Sequence, residues 1–456
     1  MQFKDFDFHP KLLRGIDSMG FREPSPIQKE AIPYILEGYD LIGQAHTGTG
    51  KTAAFALPIL DKIAKGEIDK ALIIVPTREL ATQVSDEVFY LGKYIPIKSV
   101  AIYGGVGYKR QLDFIKRGAK VVVATPGRLK DLYKKGKLDN FNPEVVVLDE
   151  ADEMLDMGFL DDIRDIFEYI PQNRQTLLFS ATMPKPILDL SKQILYNPKS
   201  VSVIKKGENT KNSDIEQFYY VIDEEQRDEA IVELLEIEDY NKALIFCRTK
   251  KETDRLSDHL KALGFRVEGL HGDIEQRSRE KIIKAFKKRE IDILVATDVA
   301  ARGLDIKDVN LVFNYHIPFD PQSYVHRIGR TGRAGKKGKA ITLVSPLEFK
   351  ELNKIKKEVG AKLELKSLKV EPKRLDQESI GELKYKLSLV ENIEDIDEVF
   401  NKLSDDELKR AVSYFIKKEK IASINSIGYD ADEVKKLISI YQNSNKRTSR
   451  TRRRGR

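Results

Sequence analysis

The stretch that most constrains this chain is Ala45-His46-Thr47-Gly48-Thr49-Gly50-Lys51-Thr52, set between Asp40-Leu41-Ile42-Gly43-Gln44 and Ala53-Ala54-Phe55-Ala56-Leu57. It reads as strand, glycine loop and helix. The closing Gly-Lys-Thr matches a phosphate-binding loop: backbone N–H groups and a helix N-terminus surround a polyphosphate, the lysine reaches its β/γ-phosphates, and the threonine hydroxyl binds Mg²⁺. Ala45 stands where the usual pattern has its first glycine. A glycine-rich turn after a strand is often only a turn. Lys51 and Thr52 argue otherwise, because a cation at a helix start opposes the helix dipole unless a bound anion reverses the penalty.

A chain of 456 residues exceeds one ordinary core, so two compact domains plus extra material are expected. The single cysteine, Cys247, excludes a disulfide framework and a cysteine-based metal cluster, and fits a reducing compartment. It lies in Ala243-Leu244-Ile245-Phe246-Cys247, a buried strand by composition. No signal-peptide stretch opens the chain, and nowhere do about 18 apolar residues run together, so a cytoplasmic protein without a membrane partner is expected. The net charge of +7 equals the seven bases of the tail: Lys446, Arg447, Arg450, Arg452, Arg453, Arg454 and Arg456. The body is therefore neutral, and any polyanion site on it must be a local groove.

Runs rich in Val and Ile recur at Ala71 to Val75, Ser99 to Tyr103, Lys120 to Ala124, Glu144 to Leu148 and Thr176 to Phe179, mostly separated by amphipathic segments. Apolar on both faces, they predict a buried parallel sheet covered by helices, in an α/β domain over residues 1–204. Residues 205–216 read as a polar linker. The pattern then resumes at Gln217 to Val221, Lys242 to Cys247, Arg266 to Leu270, Asp292 to Ala296, Asn310 to Tyr315 and Ala340 to Val344. This predicts a second α/β domain over 217–360, without a phosphate loop.

From about residue 373 the chain turns charged and helical. Ser404-Asp405-Asp406-Glu407 is a capping box, and Asp430 and Glu433 introduce Val434, Leu437, Ile438 and Tyr441 at helical spacing. A segment this thin in aromatics, residues 373–441, is expected to pack on a partner surface, with a second copy of the chain as the candidate. Residues 442–456 are an arginine-rich tail expected to be disordered when free.

The second chemical signal is Glu144-Val145-Val146-Val147-Leu148-Asp149-Glu150-Ala151-Asp152, a buried strand delivering acids at its C-terminal end, where open α/β sheets bind ligands. An aspartate there is placed to hold Mg²⁺, largely through water. The next glutamate can orient and deprotonate a water that attacks a γ-phosphate.

Asp149-Glu150-Ala151-Asp152 resembles the name-giving tetrad of the DEAD-box RNA helicases, and that family's other motifs follow in order. Gly20-Phe21-Arg22-Glu23-Pro24-Ser25-Pro26-Ile27-Gln28, with Phe3 seventeen residues ahead of Gly20, is similar to the Q motif. Pro76-Thr77-Arg78-Glu79-Leu80, Gly104-Gly105, Thr125-Pro126-Gly127-Arg128 and Ser180-Ala181-Thr182 come next. Gln276 with Arg279, Ala296-Thr297-Asp298, Ala301-Arg302-Gly303-Leu304-Asp305 and His326-Arg327-Ile328-Gly329-Arg330-Thr331-Gly332-Arg333 complete the set. The family itself uses alanine at the place of Ala45.

The resemblance implies two tandem RecA-like parallel-sheet domains that bind ATP with Mg²⁺. ATP would be held by Phe3, Gln28, Ala45, Thr47, Gly48, Thr49, Gly50, Lys51, Thr52 and Asp305, and the metal by Thr52 and Asp149. Glu150, Asp149 and Lys51 would carry the hydrolysis, joined by Arg330 and Arg333 as arginine fingers, a contribution of roughly 10³–10⁵ in rate. Ser180, Thr182, Asp152 and His326 would couple the γ-phosphate to closure. Arg78, Gly105, Thr125, Arg128, Gly272, Thr297 and Thr331 would meet RNA phosphates and 2′-hydroxyls without reading bases, so the partner is sequence-tolerant single-stranded RNA or a short duplex. The output expected is local duplex separation reset by hydrolysis. An ATP-gated RNA clamp is the alternative. In length and placement alone, residues 373–441 resemble the dimerisation segment of bacterial cold-shock and RNA-decay members.

Overall fold

A computed structural model of the chain describes residues 1–46, 48–204, 215–301, 304, 309–332, 337–359, 363–368, 404, 407–409, 412 and 428–440. Seven strands form the first sheet: β1 (Leu41–Gln44), β2 (Ala71–Ile74), β3 (Ser99–Ile102), β4 (Val121–Ala124), β5 (Val145–Leu148), β6 (Gln175–Ser180) and β7 (Lys199–Ser202). Their order is β3-β4-β2-β5-β6-β1-β7, and every neighbouring pair is parallel. Alternate residues of each strand enter different cores. Ala71 and Ile73 pack with Phe55 and Phe179 on one face, while Leu72 and Ile74 pack with Leu129, Met154 and Ile187 on the other. A sheet buried twice over needs the unbroken Val/Ile runs seen in the sequence.

The second sheet is built from β8 (Ile215–Val221), β9 (Ala243–Cys247), β10 (Val267–Leu270), β11 (Ile293–Thr297), β12 (Leu311–Asn314), β13 (Gly338–Val344) and β14 (Glu364–Leu365), in the order β10-β11-β9-β12-β13-β8-β14. β11 pairs in parallel with β10 and β9, β12 with β13, and β8 with β14. Cys247 is fully buried in β9, as its apolar neighbours predict.

The residues gather into two compact units. One comprises Met1–Ile215, Lys242–Asn310 and Val325–Gly338; the other comprises Glu216–Asn241, Leu311–Tyr324 and the chain from Lys339 onward. Within the second, Arg227 is 1% exposed, pairs with Glu348 at 2.6 Å and Glu224 at 3.0 Å, and donates to the Leu343 carbonyl at 3.3 Å. His316 adds its Nδ1 at 3.3 Å from Glu348. Arg227, Glu348 and His316 are buried together, with Glu224 on the exposed side, and pairing of this kind is the condition under which buried charge is tolerated.

Two strands escaped the sequence reading. β7 offers one apolar residue, Val201, among Lys199, Ser200 and Ser202, and only Val201 is buried. β14 is two residues long and extends the second sheet past the expected boundary at residue 360. Residues 205–214 of the expected linker and nearly all of 373–427 and 441–456 lie outside the described residues. The described part of the extension, residues 428–440, docks on its own chain: Tyr429 donates its hydroxyl to Asp223 at 2.6 Å, the Gly428 N–H donates to Gln226 at 3.2 Å, and Val434 is fully buried. The capping box of Ser404 with Glu407 forms, and Asp430 and Glu433 pair in the same reciprocal way.

Candidate active site

The strand order sets β5, β6 and β1 side by side, so the loops leaving their C-terminal ends share one edge of the first sheet. The Ala45 N–H donates to the Ser180 carbonyl at 3.2 Å and Gln44 Nε2 to Ala181 at 3.3 Å, tying the loop after β1 to the segment after β6. Gly48 and Gly50 take φ of 80° and 89°, the left-handed region that glycine enters without steric cost. Gly50 is constrained twice, because a Cβ there would lie 2.5 Å from Gln28 Nε2. Helix Lys51–Lys65 starts directly after it.

Lys51 Nζ lies 3.0 Å from Glu150 Oε1. Burial disfavours the ammonium, but Glu150, Asp149 and Asp152 outweigh it and push its pKa up to about 12. Burial together with the adjacent Glu150 raises the Asp149 carboxyl. Three acids thus surround one lysine. Glu150 has φ 55° and ψ 50°, a left-handed conformation costly for a residue with a side chain and found where surrounding structure enforces it. It turns the chain sharply from β5 into helix Ala151–Asp156.

Asp152 is fully buried. Its Oδ2 accepts from the Thr182 N–H at 2.8 Å and the Thr182 hydroxyl at 2.9 Å, and its own N–H donates to Ser180 Oγ at 3.2 Å. Ser180 Oγ in turn donates to the Thr182 carbonyl at 2.6 Å. Burial alone would raise this carboxyl; Lys51, His326 and the two hydroxyl partners hold it below the usual range. His326 Nε2 stands 4.0 Å from Asp152 Oδ2. All four residues expected to act as couplers are therefore together.

Gln28 uses its amide within the protein. Its Oε1 accepts from the Ser25 N–H at 2.9 Å and its Nε2 donates to the Gly50 carbonyl at 3.0 Å, so the Q-motif helix reports directly on the loop. Phe3 is 5% exposed and stacks on Phe21 with centroids 6.3 Å apart. The ring expected among the ATP contacts is thus packed in the core of the first sheet. Thr47, Asp305 and Arg333 lie outside the described residues.

Residues of the helicase-like second half reach the same unit. Arg330 Nη2 lies 3.4 Å from Glu153 Oε1, and its Nη1 donates to the Leu304 carbonyl at 3.3 Å. Arg327 is held in a bidentate pair with Asp298 at 2.6 and 2.7 Å, which leaves Arg330 as the described arginine of the motif aimed at the acids after β5. Arg279 pairs with Glu79 and donates to the Ala300 carbonyl at 2.7 Å, and Arg78 Nη1 donates to Gln276 Oε1 at 2.9 Å. Sequence reasoning gave Glu79 and Glu153 no role. The signal for Glu153 was available: it is the fourth acid in the five residues Asp149 to Glu153, too many for one helix cap.

Among the expected RNA contacts, Gly105 and Gly272 are exposed, Arg78 and Arg128 half-buried, and Thr125 and Thr297 sit at strand ends with 9% exposure. Gly105 lacks a side chain for a visible reason, since a Cβ there would lie 2.2 Å from Arg78 Nη1. Thr331 departs from expectation. It is 1% exposed, its hydroxyl donates to the Val309 carbonyl at 2.7 Å and its N–H to Ile328, so it offers no side-chain donor to a strand.

A parallel sheet with a phosphate loop after β1 and paired acids after β5, followed by a second parallel sheet, with Arg330 of the second half meeting Glu153 beside those acids, defines a tandem RecA-like nucleotide hydrolase. Comparison makes this specific. Residues 25–190 match the DEAD/DEAH box helicase family and residues 226–335 the helicase conserved C-terminal domain. The DEAD-box ATP-dependent RNA helicase RhpA of Helicobacter pylori is 52% identical over 363 residues, 80% of this chain and 73% of that protein. CshA of Bacillus cereus is 44% identical, over 79% of this chain and 69% of that protein. S. cerevisiae Dbp5 bound to RNA and ADP BeF3 superposes with a TM-score of 0.74 at 34% identity, over 80% of this chain and 95% of that one. Mss116p bound to ssRNA and AMP-PNP gives 0.73 at 28% identity, over 92% and 86%. The chain belongs to the DEAD-box ATP-dependent RNA helicases and hydrolyses ATP in that capacity. No helix among the described residues is long and apolar enough to cross a membrane.

Proposed function

We propose that the protein clamps single-stranded RNA, separates short duplexes locally, and uses ATP hydrolysis to let go. The supporting observation is the approach of Arg330 to Glu153, three residues past Glu150, at 3.4 Å. A triphosphate gripped at Lys51 meets that arginine only when both halves of the motif set are assembled. RNA contacts drawn from both halves, Arg78, Gly105, Thr125 and Arg128 with Gly272 and Thr297, favour the same assembled form. ATP and RNA then raise each other's affinity by linkage.

In this mechanism Lys51 moves from Glu150 to the phosphates and Glu150 becomes free to orient a water and take its proton. Arg330 neutralises charge that develops on the γ-phosphoryl oxygens. Asp152, through Thr182 and Ser180, transmits the phosphate's presence to His326. Asp149, Glu150 and Asp152 outnumber the single Lys51, and this surplus of buried negative charge fits a divalent cation. Thr52 and Asp149 would hold Mg²⁺, which when bound neutralises phosphate charge.

A strand-displacement assay on short blunt and tailed duplexes tests the reading. ATP-dependent release of the strand supports it. ATP-dependent binding without displacement selects the clamp alternative.

A further inference from the structure

The N-terminal edge of the first sheet, opposite the catalytic loops, carries a pocket of about 410 Å³ that the reaction does not use. Its floor is apolar: Leu138 and Phe141 are 2% exposed, Ala119 3%, and Ile115 is half-buried. Four lysines line it, Lys70, Lys116, Lys120 and Lys137, against the two acids Asp69 and Asp139. Lys116 and Lys137 stand exposed on the rim. Asp69 shows what the lysines accept, since its carboxylate lies 3.1 Å from Lys120 Nζ and 4.0 Å from Lys70 Nζ while remaining 64% exposed. Helices Lys109–Lys116 and Pro126–Lys134 both end here, turning at Gly118 and Gly136 with φ of 83° and 63°.

Lysines at helix ends serve the helix dipole without any ligand, and that accounts for Lys116 and Lys134. It does not account for Lys70 and Lys120, which precede strands β2 and β4, nor for an apolar floor beneath all four. We propose that this pocket docks a short acidic peptide segment of a partner protein, its carboxylates on the lysine rim and one apolar side chain against Ile115, the half-buried member of the floor. RNA suits the site poorly. Phe141, the one aromatic ring among the lining residues, is 2% exposed, so it offers no face for a base to stack on.

The test uses the full chain and a fluorescein-labelled decapeptide with a Phe-Leu pair flanked on each side by four acidic residues, read by fluorescence anisotropy. Binding should fall at least tenfold in Lys116→Glu/Lys137→Glu, both surface changes, while RNA-stimulated ATPase stays at its parental rate. A peptide with Gly-Gly in place of Phe-Leu should bind at least fivefold more weakly. Equal binding of that control, equal binding by the double variant, or displacement of the peptide by an oligoribonucleotide at the same charge concentration would each overturn the proposal. Circular dichroism of the variant separates loss of the site from loss of the fold.

Discussion

Lys51 Nζ and Glu150 Oε1 are 3.0 Å apart, with the two residues 5% and 9% exposed. A carboxylate committed to a lysine is a poor base, and a lysine committed to a carboxylate is a poor phosphate ligand. In the proposed mechanism each would become competent when a triphosphate takes the ammonium, so that substrate binding arms Glu150. The left-handed backbone at Glu150 holds the carboxylate in that position and is retained at a cost of roughly 1–3 kcal/mol.

Glu150→Gln should therefore keep nucleotide and RNA binding but lower steady-state ATP turnover by about 10²-fold or more. Nucleotide affinity by fluorescence titration and phosphate release measured side by side decide it. Unchanged turnover would remove Glu150 from the role of base.

Asp152 accepts two hydrogen bonds from Thr182 and stands 4.0 Å from His326. Thr182→Val removes the hydroxyl donor while keeping shape and the backbone bond, a loss of about 1 kcal/mol at that contact. Basal ATPase should change little, while the stimulation given by saturating RNA should fall several-fold. A fall of the two rates in parallel would instead make Thr182 part of the chemistry.

Glu348 offers a stability prediction away from catalysis. Burial would raise its carboxyl, but the hydrogen bond from His316 and the Arg227 guanidinium hold it at about 2, against 4.5 for the free side chain. A depressed pKa means the folded state prefers the carboxylate, so the stabilisation is full above about pH 4.5 and drains away as pH falls toward 2. The difference corresponds to about 3 kcal/mol. Glu348→Gln should lose about that much at pH 7 and flatten the acid limb of the pH–stability curve. Urea unfolding at pH 7 and pH 3.5 checks both, and a variant whose stability still drops as steeply with acid would show the charge to be unimportant.

Most strands were legible because burial on both faces leaves an unmistakable apolar run; Val145 to Leu148 and Ala71 to Ile74 could hardly be anything else. β7 and β14 were not, because an edge strand needs only one buried side chain or none, and Lys199-Ser200-Val201-Ser202 carries the composition of a loop. Lys51, Asp149, Glu150 and Asp152 were found from chain position, since acids and a lysine at the ends of buried strands have no structural excuse. What stayed hidden was reciprocity. Nothing local to Gln28 says that its amide already spends both ends on Ser25 and Gly50, or that Thr331 turns inward to Val309. Such facts depend on which distant segment packs alongside.

The pair formed by Arg279 and Glu79 depends on such packing, and it yields the sharpest test of assembly. Their side chains are 11% and 16% exposed, Arg279 also donates to the Ala300 carbonyl at 2.7 Å, and Arg78, next to Glu79, meets Gln276 at 2.9 Å. These partners are about 200 positions apart in the chain, so the contacts exist only when the two halves of the motif set come together. A partly buried, charge-assisted pair is worth more than a surface ion pair, and removing one partner strands the other. Arg279→Ala and Glu79→Ala should each raise the RNA concentration needed for half-maximal ATPase by roughly tenfold, about 1.4 kcal/mol. The double variant should lose little more than either alone, giving a coupling energy of about 1 kcal/mol in the cycle. Circular dichroism should show all three variants folded, so that the loss is read in RNA-dependent turnover and not in the fold. Strictly additive losses would mean that the two side chains act on RNA separately, and that their contact contributes nothing to assembly.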